Sequence, residues 1–234
     1  MVGAVYTQEN DRQPLIMITN DDGISSPGLV AAVRAALGLG RLLVAAPTEQ
    51  QTARGRSLVG DPSEQFHPHD MEVDGTEIPA YHLKASPALV VRHAFAVLCN
   101  DRLPDLVLSG INYGENLGNN ITISGTVGAA LQAAAVGVPA LAASRQTEIA
   151  HHFAYGELDW TDATRVTRAW ISRLLSLRSG PRSSSPLPFD LLKVDVPDPC
   201  PPGTEERITR LSRQRYFHST LKAPQIESPL GDGV

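Results

Sequence analysis

Residues 15–28 have the sequence LIMITNDDGISSPG, and this stretch decides the fold. An apolar run ends at two adjacent carboxylates, Asp21 and Asp22, and Gly, Ser and Pro follow. With the apolar pattern of residues 29–37, this arrangement predicts a buried strand, a loop and a helix. Ligands of open α/β sheets bind outside the carboxyl ends of the strands. We therefore expect Asp21 and Asp22 to lie at a ligand-binding edge.

Strand-like and helical segments alternate along the chain. Runs typical of strands occur at residues 15–20, 42–46, 106–109 and 140–144, and helical patterns lie between them at 29–37, 88–98 and 127–136. This alternation predicts an α/β fold with a Rossmann-like, doubly wound, mostly parallel sheet. Further predicted elements are short strands at 70–74 and 80–84, an amphipathic helix at 161–177 and a strand at 191–196.

The composition sets the domain organisation and excludes some functions. Residues 1–13 are polar and predict a flexible extension, residues 14–196 form the α/β domain, and residues 197–234 are a C-terminal extension or arm, with disorder as the alternative. The net charge of −5 argues against binding to a nucleic-acid polymer. No stretch predicts a membrane span. With two distant cysteines and no secretory signal, we expect a cytoplasmic protein.

The two adjacent aspartates admit two interpretations. Their charges repel, so their pKa values rise unless a cation or hydrogen-bond donors offset them, and a hard divalent cation is the simplest partner. The sequence Asn-Asp-Asp-Gly is also favourable in a turn, because Asn and Asp bond their own backbone and Gly accepts a positive φ.

Other loops at the same edge favour the metal site. Residues 48–57 form a polar loop after the second strand, and residues 109–119 are rich in Gly and Asn, whose amide oxygens suit a hard metal. Ser124, Gly125 and Thr126 open the next helix, where hydroxyls and free N–H groups make an anion site. Alternatively, Ser124 only caps that helix. Together the loops predict phosphate chemistry.

Four motifs in this order resemble those of the SurE family of stationary-phase-survival nucleotidases and phosphatases. They are TNDDGI (19–24), VAAP (44–47), SGINYGEN (109–116) and SGTV (124–127), with a weaker similarity at 208–216. The resemblance implies a metal-dependent phosphomonoesterase, a 5'-nucleotidase or acid-phosphatase-type enzyme. Such an enzyme hydrolyses nucleoside 5'- and 3'-monophosphates to nucleoside and phosphate.

The resemblance also implies a set of site residues. One divalent ion, Mg²⁺ or Mn²⁺, is expected on Asp21, Asp22, Thr52 and Asn112, with Asp21 and Asp22 as the catalytic pair. Substrate phosphate is expected to contact Asn20, Asn116, Ser124, Gly125 and Thr126. Water attack is the expected mechanism, with Asp21 as a covalent nucleophile as the alternative. The family further implies a homodimer or homotetramer with exchanged C-terminal arms.

Three departures from the family pattern motivate an alternative function. Thr52 replaces the usual Ser, and Leu89 lies where the family usually has a carboxylate. The chain also ends at Val234 without the family's final strand, which predicts a shortened arm. The alternative is a catalytically impaired nucleotide-binding oligomeric module. His67, His69, His151 and His152 are predicted to be solvated loop residues, since no further Cys or His spacing supports a zinc site.

Overall fold

A computed structural model of the protein describes residues 13–99, 102–148, 155–178 and 189–214, together with 225, 226 and 228. The strands are β1 (Leu15–Thr19), β2 (Arg41–Pro47), β3 (His67–His69), β4 (Glu72–Val73), β5 (Thr76–Glu77), β6 (Ala80–Leu83), β7 (Leu106–Tyr113), β8 (Ala140–Arg145) and β9 (Leu191–Val196). The helices are α1 (Pro27–Ala36), α2 (Pro87–Val97), α3 (Gly125–Ala134) and α4 (Thr161–Arg178), and a short 3-10 helix covers Gly118–Thr122.

Seven strands form one sheet in the order β3-β6-β2-β1-β7-β8-β9. Only β3 is antiparallel to its neighbour, and the other pairs of this sheet are parallel. Helices α1 and α4 cover one face, and α2 and α3 cover the other. The predicted doubly wound α/β fold is therefore confirmed.

Strand β1 lies at the centre of the sheet because its side chains are apolar on both faces. Ile16 and Ile18 pack towards α1 and α4, whereas Leu15 and Met17 pack towards α2 and α3. All five residues of β1 are buried. A strand covered on both faces has a continuous apolar sequence rather than an alternating one. This placement carries Asp21 and Asp22 to the middle of the carboxyl edge.

Strand β7 is longer than the sequence predicted. The predicted strand stopped at residue 109, but β7 continues to Tyr113 and all eight of its residues are buried. The register with β8 shifts between Ser109 and Asn112, which marks a bulge. Gly110 permits the close approach, since its φ is 125° and a Cβ atom there would lie 2.2 Å from the carbonyl oxygen of Ala143. Bulges near functional sites redirect side chains.

Two sequence predictions near the β3 edge of the sheet differ from the structure. The strand predicted at 70–74 is only the two residues of β4, which pair with β5 in a separate ribbon. His67 and His69, predicted to lie in a loop, belong to β3, with His67 opposite His82. Pro68 fits there because an edge strand tolerates a missing N–H. His151 and His152 lie outside the described residues.

No helix in the described ranges is long and apolar enough to cross a bilayer. Residues 201–214 follow the last strand and are exposed. Their assignment to a separate arm stays a prediction.

Candidate active site

The turn after β1 places the two aspartates. The Asn20 Nδ2 group donates to the Gly23 carbonyl at 2.9 Å, and the Gly23 N–H donates to Asn20 Oδ1 at 3.2 Å. Gly23 has φ 103°, and a Cβ atom there would lie 3.0 Å from the Glu49 backbone. The Asn20 side chain therefore closes this turn. Asp21 and Asp22 between them are only 6% and 2% exposed.

Asp21 is held by the N-terminus of α3. The Thr126 hydroxyl donates to Asp21 Oδ1 at 2.5 Å, and hydrogen bonds from the Gly125 and Thr126 backbone also act on the carboxylate. A Cβ atom on Gly125 would lie 2.6 Å from Asp21 Oδ2. Only glycine leaves room for the carboxylate at this position. The hydroxyl and N–H groups at the start of α3, which the sequence predicted to bind an anion, therefore bind the Asp21 carboxylate.

Ser124 caps the N-terminus of α3, which is one of its two predicted roles. Its side chain accepts a hydrogen bond from the Val127 N–H at 3.2 Å and caps α3. Such caps satisfy one of the free N–H groups at a helix start. Contact of Ser124, Gly125 or Thr126 with a substrate phosphate stays a prediction.

Asp22 is tied to β7 and to the segment before α4. Its Oδ2 accepts a hydrogen bond from the Tyr113 N–H at 3.3 Å. Its carbonyl oxygen accepts a hydrogen bond from the Tyr155 hydroxyl. The Gln50 side chain also bonds the Asp22 carboxylate. The sequence motifs did not single out Gln50 or Tyr155. Both residues lie far from Asp22 in the sequence, and only the folded structure brings them into contact with it.

The pKa values of both carboxyl groups are raised. Burial is the largest cause for each, and the negative charge of Asp21 further raises the pKa of Asp22. Hydrogen bonds from Thr126 lower the pKa of Asp21, and those from Tyr113 and Gln50 lower the pKa of Asp22, without offsetting the burial. No cationic side chain of the described residues is among these influences. The charged form of the pair is therefore disfavoured, and a bound divalent cation would stabilise it.

Asn112 lies at the end of β7, directly before the residue whose N–H bonds Asp22. Its Nδ2 donates to the carbonyls of Tyr113 at 3.1 Å and Gly114 at 2.7 Å. Only the amide nitrogen can donate to two carbonyls, so these bonds fix the side-chain orientation. Asn112 Oδ1 accepts no hydrogen bond from the described residues, and the residue is 9% exposed. This oxygen is available to a hard metal.

Thr52 and Asn116 are two further residues that the sequence analysis assigned to the site. Thr52 is exposed and follows Gln51, whose N–H donates to the Asp21 carbonyl at 2.7 Å. Asn116 is attached to the neighbouring strands, since its N–H donates to Asp195 Oδ1 at 3.0 Å and its Nδ2 to Ser144 Oγ at 3.0 Å. Asp21 and Asp22 are adjacent in the chain, and Asn112 precedes Tyr113, whose N–H donates to Asp22. Ligation by Thr52 and phosphate binding by Asn116 stay predictions.

The donor chemistry fits a hard divalent ion. Two carboxylates and an amide oxygen are the ligand types of Mg²⁺ and Mn²⁺. Within the described ranges, no group of three or more His, Cys, Asp and Glu side chains is placed to hold a metal. A complete shell therefore needs other oxygen donors, such as Asn112, Thr52, water or substrate.

Comparisons with known proteins find relatives over most of the chain. The model of the family described as Survival protein SurE matches residues 16–218. The protein named 5'-nucleotidase SurE from Methanocella arvoryzae is 40% identical over 208 residues, which are 86% of this chain and 73% of that protein. The protein of the same name from Methanopyrus kandleri is 40% identical over 216 residues, covering 91% and 75% of the two chains.

A solved structure shares the fold. The crystal structure of the SurE protein from Aquifex aeolicus has a TM-score of 0.63 and 30% identity. The match covers 79% of this chain and 66% of that chain, so this chain spans just under two thirds of the Aquifex aeolicus protein. The family model covers most of the sequence, including the carboxylate pair and the loops around it. The chain therefore belongs to the SurE family.

Proposed function

We propose that this chain is a divalent-metal-dependent phosphomonoesterase that hydrolyses nucleoside 5'- and 3'-monophosphates to nucleoside and inorganic phosphate. The buried pair of Asp21 and Asp22, at the carboxyl edge of the sheet, is the observation that carries this proposal. The relatives from Methanocella arvoryzae and Methanopyrus kandleri, both named 5'-nucleotidase SurE, support the substrate class.

We assign the metal to Asp21, Asp22 and Asn112, with Thr52 as a further ligand. When bound, Mg²⁺ or Mn²⁺ would neutralise charge on the phosphoryl group and make water a better nucleophile. The protein supplies a rigid arrangement around this chemistry. Thr126 and the start of α3 hold Asp21, while the Tyr113 backbone holds Asp22. Groups fixed in this way need little reorganisation during the reaction.

The alternative of an impaired binding module is less well supported by the geometry. The presence of Asp21 and Asp22 after β1 and of Asn112 at the end of β7 supports an active site instead. Leu89, at the position where the family usually has a carboxylate, is partly buried against the apolar core that contains Val90 and Val91. Its side chain thus has a packing role. Nucleotide binding without phosphate release would favour the alternative.

The proposal also includes the oligomeric state and the cellular compartment. A homodimer or homotetramer remains our expectation for the assembly. Cys99 and Cys200 are free and buried, which supports the reducing, cytoplasmic compartment that we propose.

Phosphate release from 5'-AMP and 3'-AMP tests the proposal. Wild-type protein, Asp21→Asn and Asp190→Asn are assayed with Mn²⁺, with Mg²⁺ and with EDTA. Asp190 is exposed and serves as the matched control for the same chemical change. We expect release that needs metal in wild type and Asp190→Asn, and background release in Asp21→Asn. Equal release with EDTA and with metal would reject metal dependence.

A further inference from the structure

An aromatic cluster lies beside the carboxylate pair. The rings of Tyr113 and Tyr155 have centroids 5.5 Å apart at an angle of 36°, and those of Tyr113 and Trp160 lie 4.9 Å apart at 74°. Tyr113 is only 3% exposed, whereas Tyr155 is 47% exposed. Tyr155 is therefore the outer ring of the cluster.

Tyr155 combines exposure with a fixed position. Its hydroxyl donates to the Asp22 carbonyl oxygen, and its ring packs against Tyr113. A ring that served only the core would be covered. A half-exposed ring that is held beside Asp22 is accessible to a substrate bound at this edge.

The position of Tyr155 suits one part of a nucleotide. In a nucleoside monophosphate a single ribose separates the phosphate from the base. The Tyr155 hydroxyl donates to the backbone carbonyl of Asp22, so the half-exposed ring lies next to the centre where we propose that the phosphate reacts. Aromatic side chains stack on any base, because every base has a π face.

We propose that the exposed face of Tyr155 is a stacking platform for the nucleobase of the substrate. This inference rests on the proposed nucleotidase function and adds a specificity-determining residue to it. The platform favours nucleotides over phosphate esters without a base, and it discriminates little among the bases.

Two substrates separate base binding from phosphate chemistry. The substrate 5'-AMP has the base, and ribose 5-phosphate has the same phosphate and sugar without it. The variants are Tyr155→Leu, which removes the ring, and Tyr155→Phe, which keeps the ring and removes the hydrogen bond to Asp22. The readout is kcat/KM for 5'-AMP divided by kcat/KM for ribose 5-phosphate.

We expect Tyr155→Leu to lower this ratio about tenfold, mainly through a higher KM for 5'-AMP, as the loss of one base–aromatic stack predicts. Tyr155→Phe should keep the wild-type ratio even if the lost hydrogen bond changes both rates. A ratio that is unchanged in Tyr155→Leu would overturn the inference and leave Tyr155 as a positioning residue for Asp22.

Equilibrium binding keeps this test independent of catalysis. Binding of 5'-AMP in EDTA is measured by calorimetry for wild type and Tyr155→Leu, with circular dichroism to confirm folding. We expect about tenfold weaker binding in Tyr155→Leu. If wild type binds 5'-AMP and releases no phosphate, the proposed enzyme function fails while the stacking inference is still measured. Equal affinity of the two proteins, or no detectable binding by wild type, would overturn it.

Discussion

The Thr126 hydroxyl donates a hydrogen bond of 2.5 Å to Asp21 Oδ1, joining residues that are 105 positions apart in the chain. This contact connects the end of β1 to the start of α3. Both groups are buried, Thr126 completely. The consequence is that α3 orients the carboxylate that we propose to be catalytic, in addition to any contact it makes with substrate.

Thr126→Val tests this contact, because valine keeps the shape and removes the donor. We expect kcat/KM for 5'-AMP to fall roughly 10- to 100-fold, the effect of losing a hydrogen bond to a charged group. Thr167→Val is the matched control. Thr167 is 1% exposed and its hydroxyl has no hydrogen-bond partner among the described residues. A loss of equal size in both variants would show that the Thr126 contact has no special role.

Gly125→Ala tests the space around Asp21. The new methyl group would lie 2.6 Å from Asp21 Oδ2, although alanine itself favours a helix. We expect about 100-fold lower kcat/KM with the fold retained, because a displacement near 1 Å at a reacting group has an effect of this order. Wild-type activity in a folded Gly125→Ala protein would contradict the geometry of the site.

Asp22→Asn is expected to stabilise the metal-free protein while removing activity. The substitution relieves a buried charge beside Asp21. We expect Tm in EDTA to rise by about 2–4 °C, which corresponds to roughly 1 kcal/mol for a chain of this size. Added Mn²⁺ should raise the Tm of wild type more than that of the variant. A lower Tm in EDTA, with no change in the Asp190→Asn control, would contradict the prediction.

The surroundings of His82, near the β3 edge of the sheet, predict that the stability of the protein depends on pH. Burial, followed by the charges of His67 and His69, lowers the pKa of His82 below 6.5, and Glu64 partly opposes this. Thr48 Oγ1 lies 3.0 Å from His82 Nδ1. Since the native state binds the proton more weakly than the unfolded state, stability falls as the pH drops from about 6.5 through the lower native pKa.

An NMR titration of His82 checks this prediction. We expect a midpoint below 6.5 in wild type and a higher midpoint in the double variant His67→Gln/His69→Gln. Denaturant unfolding at several pH values should show a smaller loss of stability in His82→Gln than in wild type. His93→Gln, which changes a ring stacked on Phe66, is the control. A His82 midpoint at or above 6.5 would contradict the prediction.

The sequence predicted the parts of the fold that local patterns specify. The apolar run of β1, the carboxylates at its end and the alternation with helices need no tertiary information. Strand β7 was predicted too short, because Gly110 and Asn112 favour a loop locally. Pairing with β8 across a bulge overrides that preference. Strand β3 was missed because two histidines and a proline give no strand signal.

The candidate site was predicted as a set of residues but not as a set of contacts. The sequence marked Thr126 as a donor at a helix start, yet it does not reveal whether that donor faces a ligand or Asp21. The role of Asn20 in closing the turn with Gly23 was not predicted, and its contact with substrate stays a prediction. Tyr155 belongs to no motif, and only the folded chain brings its hydroxyl to Asp22.

Binding of Mn²⁺ and hydrolysis of 5'-AMP should be measured on the same samples of wild type and Asp21→Asn, because the proposed site assigns both to this carboxylate. Calorimetric titration gives the stoichiometry and affinity, and phosphate release gives the activity. We predict one Mn²⁺ per wild-type chain with metal-dependent release, and loss of both tight binding and release in a folded Asp21→Asn protein. Undiminished Mn²⁺ affinity and hydrolysis in Asp21→Asn would contradict the account.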